Sequence, residues 1–194
     1  MLAALTTLAT LGSLSGNYIA TRIGEKHYED SKVFDVFDVG YALVPQLNIP
    51  PIVMTLYSLA WVPALLSNPM ASRVAVELGL RYVGIFALRT ITTVVTVLPK
   101  DKSCDSSKLT WYEILNGACY DKVFSGHSAI AVLLSMTMVS IGAWSAWTGR
   151  LYTLGMALLL LVSRGHYTVD IVLGLAIGWL AFNVDMSVVA QSLN

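Results

Sequence analysis

Charge is the scarcest property of this chain. Of its 194 residues only 12% are Asp, Glu, Lys or Arg, and the formal net charge is zero. An ordinary soluble domain carries about a quarter charged residues. The Lys and Arg residues form no block or stripe, which excludes the electrostatic footprint of a nucleic-acid partner. No internal repeat and no low-complexity linker breaks the sequence, so one domain over residues 1–194 is expected. Cysteine is nearly absent as well. Cys104 and Cys119 share one polar stretch. They read either as two unrelated thiols or as a disulfide closing a loop of about 15 residues, worth up to roughly 3 kcal/mol in an oxidising compartment. The stretch up to Ala20 lacks a charged leading segment and a small-residue cleavage site, and reads as a retained span instead of a signal peptide.

What is abundant is apolar surface: 56% of residues are hydrophobic and the mean hydropathy is +0.67. A membrane span needs about 20 mostly apolar residues. Six stretches qualify as expectations: Met1–Ala20, Ile49–Leu66 (broken by Pro50, Pro51 and Pro63), Val74–Leu98, Ser128–Trp144, Trp147–Ser163 and His166–Val184. The expected fold class is therefore all-α, a polytopic bundle of six transmembrane helices. A soluble helical protein is the alternative, but these continuous apolar runs lack its amphipathic breaks.

Six antiparallel spans bring residues 21–48, the loop 99–124 and the turn 163–165 to one membrane face, together with the starts of spans four and six. Seven basic residues lie in the two large loops of that face (Arg22, Lys26, Lys32, Lys100, Lys102, Lys108 and Lys122), against Arg73, Arg81 and Arg150 opposite. The positive-inside rule places this face in the cytoplasm, whereas a disulfide places it outside. The two signals disagree.

The chemistry-bearing residues cluster on that face. His127 opens span four and His166 opens span six, and these spans run parallel, so topology alone sets the two imidazoles at one depth despite 39 positions of separation. His166 and Asp170 are four apart and share a face of one helix. A carboxylate on one imidazole nitrogen fixes the tautomer and leaves the other nitrogen as nucleophile or base. Helix starts also attract phosphate, and Ser125-Gly126 sits at one of them. Arg89 lies roughly 14 Å inside the end of span three, where an arginine is costly and faces a cavity or a partner. Thr92, Thr93 and Thr96 are expected on its face. Arg164, beside His166, is a second cation. Asp35 and Asp38 read as surface residues of a loop. Two facing histidines are also compatible with a haem-binding or purely structural membrane protein. Two imidazoles and a lone carboxylate, with Cys119 and Asp121 as the only additions, make too thin a shell for a metal, so neither metal nor cofactor is expected.

Phe-Ser-Gly-His127, followed about 40 residues later by His166-Tyr-Thr-Val-Asp170, resembles the sphingomyelin synthase family of the type 2 phosphatidic acid phosphatase superfamily. Arg89, Thr96 and Leu98-Pro99 resemble that family's signature at the end of the third span. Cys104 and Cys119-Tyr120-Asp121 are similar to its third loop, where Cys-Gly-Asp is usual. The likeness runs from about Phe34 to Val184. It implies a multi-pass protein of the Golgi, endoplasmic reticulum or plasma membrane with its site lumenal or exoplasmic, which sides with a Cys104–Cys119 disulfide against the charge count. It also implies metal-independent transfer of phosphocholine, or a related head group, from a glycerophospholipid such as phosphatidylcholine to ceramide. His166, oriented by Asp170, is the implied nucleophile and His127 the acid and base. Arg89, Ser125, Gly126 and Arg164 would hold the phosphate, with Asp121 as an additional acid. A lipid phosphatase or phospholipase C-type hydrolase is the alternative on this scaffold. The upstream Lys…Arg-Pro motif of lipid phosphatases is absent, and Arg164 stands only two residues before His166. The sequence leaves donor, host and any homo-oligomeric state open.

Overall fold

The computed structural model describes residues 2–28, 36–99, 110–111, 119–120 and 123–185, and every regular element among them is an α-helix. In chain order these are α1 (Leu2–Tyr28), α2 (Val39–Leu43), α3 (Pro51–Ser58), α4 (Val62–Leu66), α5 (Ala71–Val95), α6 (Gly126–Ser140), α7 (Ala146–Val162) and α8 (Thr168–Asn183). Ala71–Val95 is the one described helix both long and apolar enough to cross a membrane. The last three helices have 15, 17 and 16 residues, fewer than the roughly 20 a full span requires. The structure thus supports an all-helical bundle without establishing six full spans.

The expected break within Ile49–Leu66 is present. Pro51 opens α3, and Pro63 stands in the first turn of α4. A proline lacks the N–H that would continue the preceding helix and is tolerated where a helix starts, so the chain stops at Ser58 and restarts at Val62. Thr6, Thr7 and Thr10 do not interrupt α1. Their hydroxyls donate to carbonyls three or four residues earlier, which satisfies them inside the helix itself.

Two helix pairs form the frame, and small residues set both. In α1, Gly12 and Gly16 face Thr90 of α5, and a Cβ added to Gly16 would lie 3.3 Å from Thr90 Cγ2. In α8, Gly174 and Gly178 lie against the first turns of α6. A Cβ on Gly174 would collide with the Ser125 carbonyl oxygen, and one on Gly178 with that of Ala129. Glycines four apart let two backbones touch where side chains would hold them apart. Between the pairs, Leu78 and Ile85 of α5 pack on Phe124, Ala129, Leu133 and Met138 in one apolar cluster.

Polarity is inverted relative to a water-soluble fold. Ser13, Asn17, Thr21, Arg89, Thr93, His166 and Asp170 are buried, while Leu151, Leu154, Val172, Trp179 and Leu180 of α7 and α8 are more than half exposed. An exterior this apolar, around a polar interior, suits a lipid surround.

Candidate active site

Phe124 has φ +28°, in the left-handed region a bulky residue rarely adopts, and turns the chain sharply into α6. Ser125 then caps the helix, its hydroxyl accepting from the Ser128 N–H at 3.2 Å. The Ser125 N–H donates to the Asp170 carbonyl at 2.9 Å. This bond ties the start of α6 to the first turn of α8. His127 is the second residue of α6 and opens on a cavity of about 350 Å³.

The second histidine is set by the end of α7. Arg164 N–H donates to Leu161 O and Gly165 N–H to Leu160 O, which closes the helix with a left-handed residue at Arg164, φ +58°. Glycine is usual there. Arginine is used because its side chain reaches back: one guanidinium nitrogen donates to Tyr41 O (2.9 Å) and Val44 O (3.0 Å), and the group lies 4.2 Å from the Tyr41 ring centroid. The expected phosphate ligand thus fastens the end of α2. His166 is not the first residue of α8 but lies two residues before it. The shared-helix-face expectation fails, and the contact with Asp170 arises from the turn instead. His166 Nδ1 is 3.8 Å from Asp170 Oδ2, and that oxygen also accepts the Tyr167 N–H at 3.1 Å. The carboxylate is therefore fixed at the helix start and faces one imidazole nitrogen.

Arg89 reaches this assembly from the middle of the bundle. Its Nη1 donates to Ser13 Oγ (3.1 Å) and Asn17 Oδ1 (3.0 Å) of α1. A Cβ on Gly126 would lie 2.9 Å from Arg89 Nε, so the guanidinium lies close against the start of α6, and any side chain there would have to displace it. Both Arg89 and His166 lie within electrostatic reach of His127. Arg89, His127, Ser13 and Asn17 share the cavity wall, which continues inward past Tyr82 and Tyr152. The threonine stripe is narrower than expected. Thr93 is buried, whereas the Thr92 hydroxyl bonds its own helix and Thr96 ends it.

Asp38 is no bystander. Its carboxylate caps α2 by accepting from Tyr41 N–H at 2.9 Å, and caps α8 by accepting from Thr168 N–H at 2.7 Å and from the Thr168 hydroxyl. Burial raises its pKa, but the Thr168, Tyr41 and Gly40 hydrogen bonds outweigh that and hold it below the ordinary carboxylate value. A lowered folded-state pKa means its stabilisation is complete above the ordinary carboxylate range and is lost as pH falls through the lowered value. Asp38→Ala is expected to cost about 1–2 kcal/mol through the lost caps, fraying the turn that holds His166. Denaturant titration and steady-state turnover check this. Unchanged midpoint and rate would refute it.

Asp121 and Cys104 lie outside the described residues, as does Asp35. Cys119 is buried and disulfide-bonded. Tyr120, the departure from the usual glycine, is fully buried against Gly24 of α1, where any Cβ would strike its ring. Among the described residues no group of three His, Cys, Asp or Glu is placed to hold a metal ion. Sequence reading missed Ser13, Asn17, Gly174 and Gly178. The Gly174–Gly178 spacing was visible as a helix-packing motif, whereas Ser13 and Asn17 carry no motif and lie 72 or more positions from Arg89.

Residues 118–187 match the family model described as PAP2 superfamily C-terminal. The matched segment contains both histidine motifs and supports the type 2 phosphatidic acid phosphatase superfamily, whose members are in general membrane-associated phosphatases or phosphotransferases. No curated protein matches the chain.

Proposed function

We propose that this chain is a multi-spanning membrane enzyme that moves the phosphorylated head group of a glycerophospholipid to ceramide, with phosphatidylcholine as donor. The observation that carries this reading is the Ser125 N–H bond to the Asp170 carbonyl, because it brings two sequence-distant histidine motifs to one level. His166 presents Nδ1 to Asp170, so Nε2 is the nitrogen that attacks phosphorus. The phosphorus–oxygen bond to diacylglycerol breaks as His127 delivers a proton to the departing oxygen. In the second half, His127 takes the proton of the ceramide hydroxyl, the new oxygen–phosphorus bond forms, and the phosphorus–nitrogen bond breaks. Division into two displacements is covalent catalysis with one shared acid and base. Arg89 holds the phosphate charge, which positioning and electrostatics stabilise most in phosphoryl chemistry.

The same histidines with water as acceptor give a hydrolase, and the superfamily match fits that equally. The full-length chain in nanodiscs, given choline-labelled phosphatidylcholine with and without ceramide, separates the two. Labelled sphingomyelin that requires ceramide is the expected product. Free phosphocholine, unaffected by ceramide, would establish the hydrolase. Neither product from phosphatidylcholine, phosphatidylethanolamine or phosphatidylinositol would sink both.

A further inference from the structure

A second cavity, of about 590 Å³, lies apart from the histidines as a furrow between α6, α7 and α8. Val132, Met136, Leu154, Leu175 and Phe182 give it an apolar lining. The hydroxyls that reach it are already bonded within the protein. Ser135 donates to Val132 O at 3.0 Å, Thr153 to Ser135 Oγ at 3.0 Å, and Ser140 to Thr137 O at 2.8 Å. Arg150 is the remaining polar side chain of the lining, and it is exposed. Its guanidinium lies 5.2 Å from the ring centroid of Trp147, and no carboxylate pairs with it among the described residues. Trp147 is 70% exposed near the start of α7, and an exposed tryptophan at a helix start suits the head-group level of a bilayer. Phe182 carries a second cation, the Arg81 guanidinium 5.2 Å from its ring centroid. Positive charge thus gathers at one end of an apolar furrow.

We infer that this furrow holds an acyl chain of an anionic phospholipid whose head group rests on Arg150, in the leaflet away from the histidines. Charge complementarity selects this occupant. A guanidinium without a carboxylate favours a net negative head group, whereas a zwitterionic lipid offsets its phosphate with its own ammonium. A polar ligand would find no open hydrogen-bonding side chain along the lining. A second copy of the chain packed symmetrically on this patch would bring another Arg150 to it in place of an anion. The inference needs the lipid surround but not the reaction proposed above.

The full-length chain is embedded in nanodiscs of equal parts phosphatidylcholine and phosphatidylglycerol, then released, and the lipid it retains is identified by native mass spectrometry. Wild type is expected to retain phosphatidylglycerol in preference to phosphatidylcholine. Arg150→Gln is expected to lower that retention about fivefold, the factor one interfacial cation contributes to attraction of anionic lipid. Arg150→Lys keeps the charge and is expected within about twofold of wild type. Ala157 also lines the furrow. Ala157→Trp fills it with Arg150 intact and is expected to lose phosphatidylglycerol about fivefold as well, because a displaced chain carries its head group off the guanidinium. Should Ala157→Trp not fold, the two variants of the exposed Arg150 decide. No preference for phosphatidylglycerol in wild type overturns the inference, as does equal retention by Arg150→Gln, retention by Arg150→Lys as low as by Arg150→Gln, or full retention by folded Ala157→Trp. A wild-type dimer that Ala157→Trp dissociates, with no lipid retained, overturns it in favour of a contact between copies.

Discussion

His166→Ala is expected to abolish head-group transfer, lowering kcat on the order of 10⁴-fold or more, with helix content unchanged. A covalent nucleophile has no substitute: without its nitrogen the donor's phosphorus forms no enzyme-bound intermediate, and the double displacement loses its first step. In the proposed mechanism the surrounding groups all serve that nitrogen. The Asp170 carboxylate faces Nδ1, Tyr167 N–H anchors the carboxylate, and the helix start behind it is capped by Asp38. His127→Ala should also be slow in both half-reactions but should still accumulate some label from the donor, since it leaves the attacking nitrogen in place. Acid-labile, alkali-stable transfer of choline label to wild-type protein, absent in His166→Ala, is the expected signature. Retention of full transfer by His166→Ala would remove the basis of the mechanism.

Gly178→Val is expected to lower stability by about 3 kcal/mol or more and to remove activity with every catalytic side chain still present. At this position even a Cβ meets the Ala129 carbonyl oxygen, carbonyl carbon and Cα. These are backbone atoms of a helix that cannot swing aside as a side-chain tip can. Overpacking of ordinary cores costs about 1–3 kcal/mol, and more where nothing can relax. Pushing α8 from α6 also stretches the bond from Ser125 N–H to the Asp170 carbonyl, so the histidines separate. Gly84→Ala is the control, because a Cβ there meets nothing within 4 Å. It should be neutral or stabilising by about 0.5–1 kcal/mol. Equal thermal midpoints for the two variants would show that the helix contact is not what holds the motifs together.

These results bear on how the chain encodes its site. The Ser-Gly-His and His-Tyr-Thr-Val-Asp stretches announce themselves because their residue types are chemically unusual in an apolar sequence. Hydropathy likewise marks where helices run, since burial in lipid demands continuous apolar residues. Finer features were not legible. Arg164 reads only as a phosphate ligand, whereas the left-handed turn it occupies also directs one of its guanidinium nitrogens to the carbonyls of Tyr41 and Val44. Asp38 reads as a surface acid until its two oxygens are found capping two helices. In each case the deciding interaction joins segments 120 to 130 positions apart.

The amino-acid sequence by itself determined the helical class, the apolar character of the chain and the identity of the two histidines, the aspartate and the buried arginine, because composition and local spacing carry those properties. Only the tertiary structure decided that His166 sits in a turn, that α1 grips Arg89, and that glycines at 174 and 178 lock the two motifs together. Those outcomes depend on which backbones can touch, and close approach is a property of packed helices that no single segment contains.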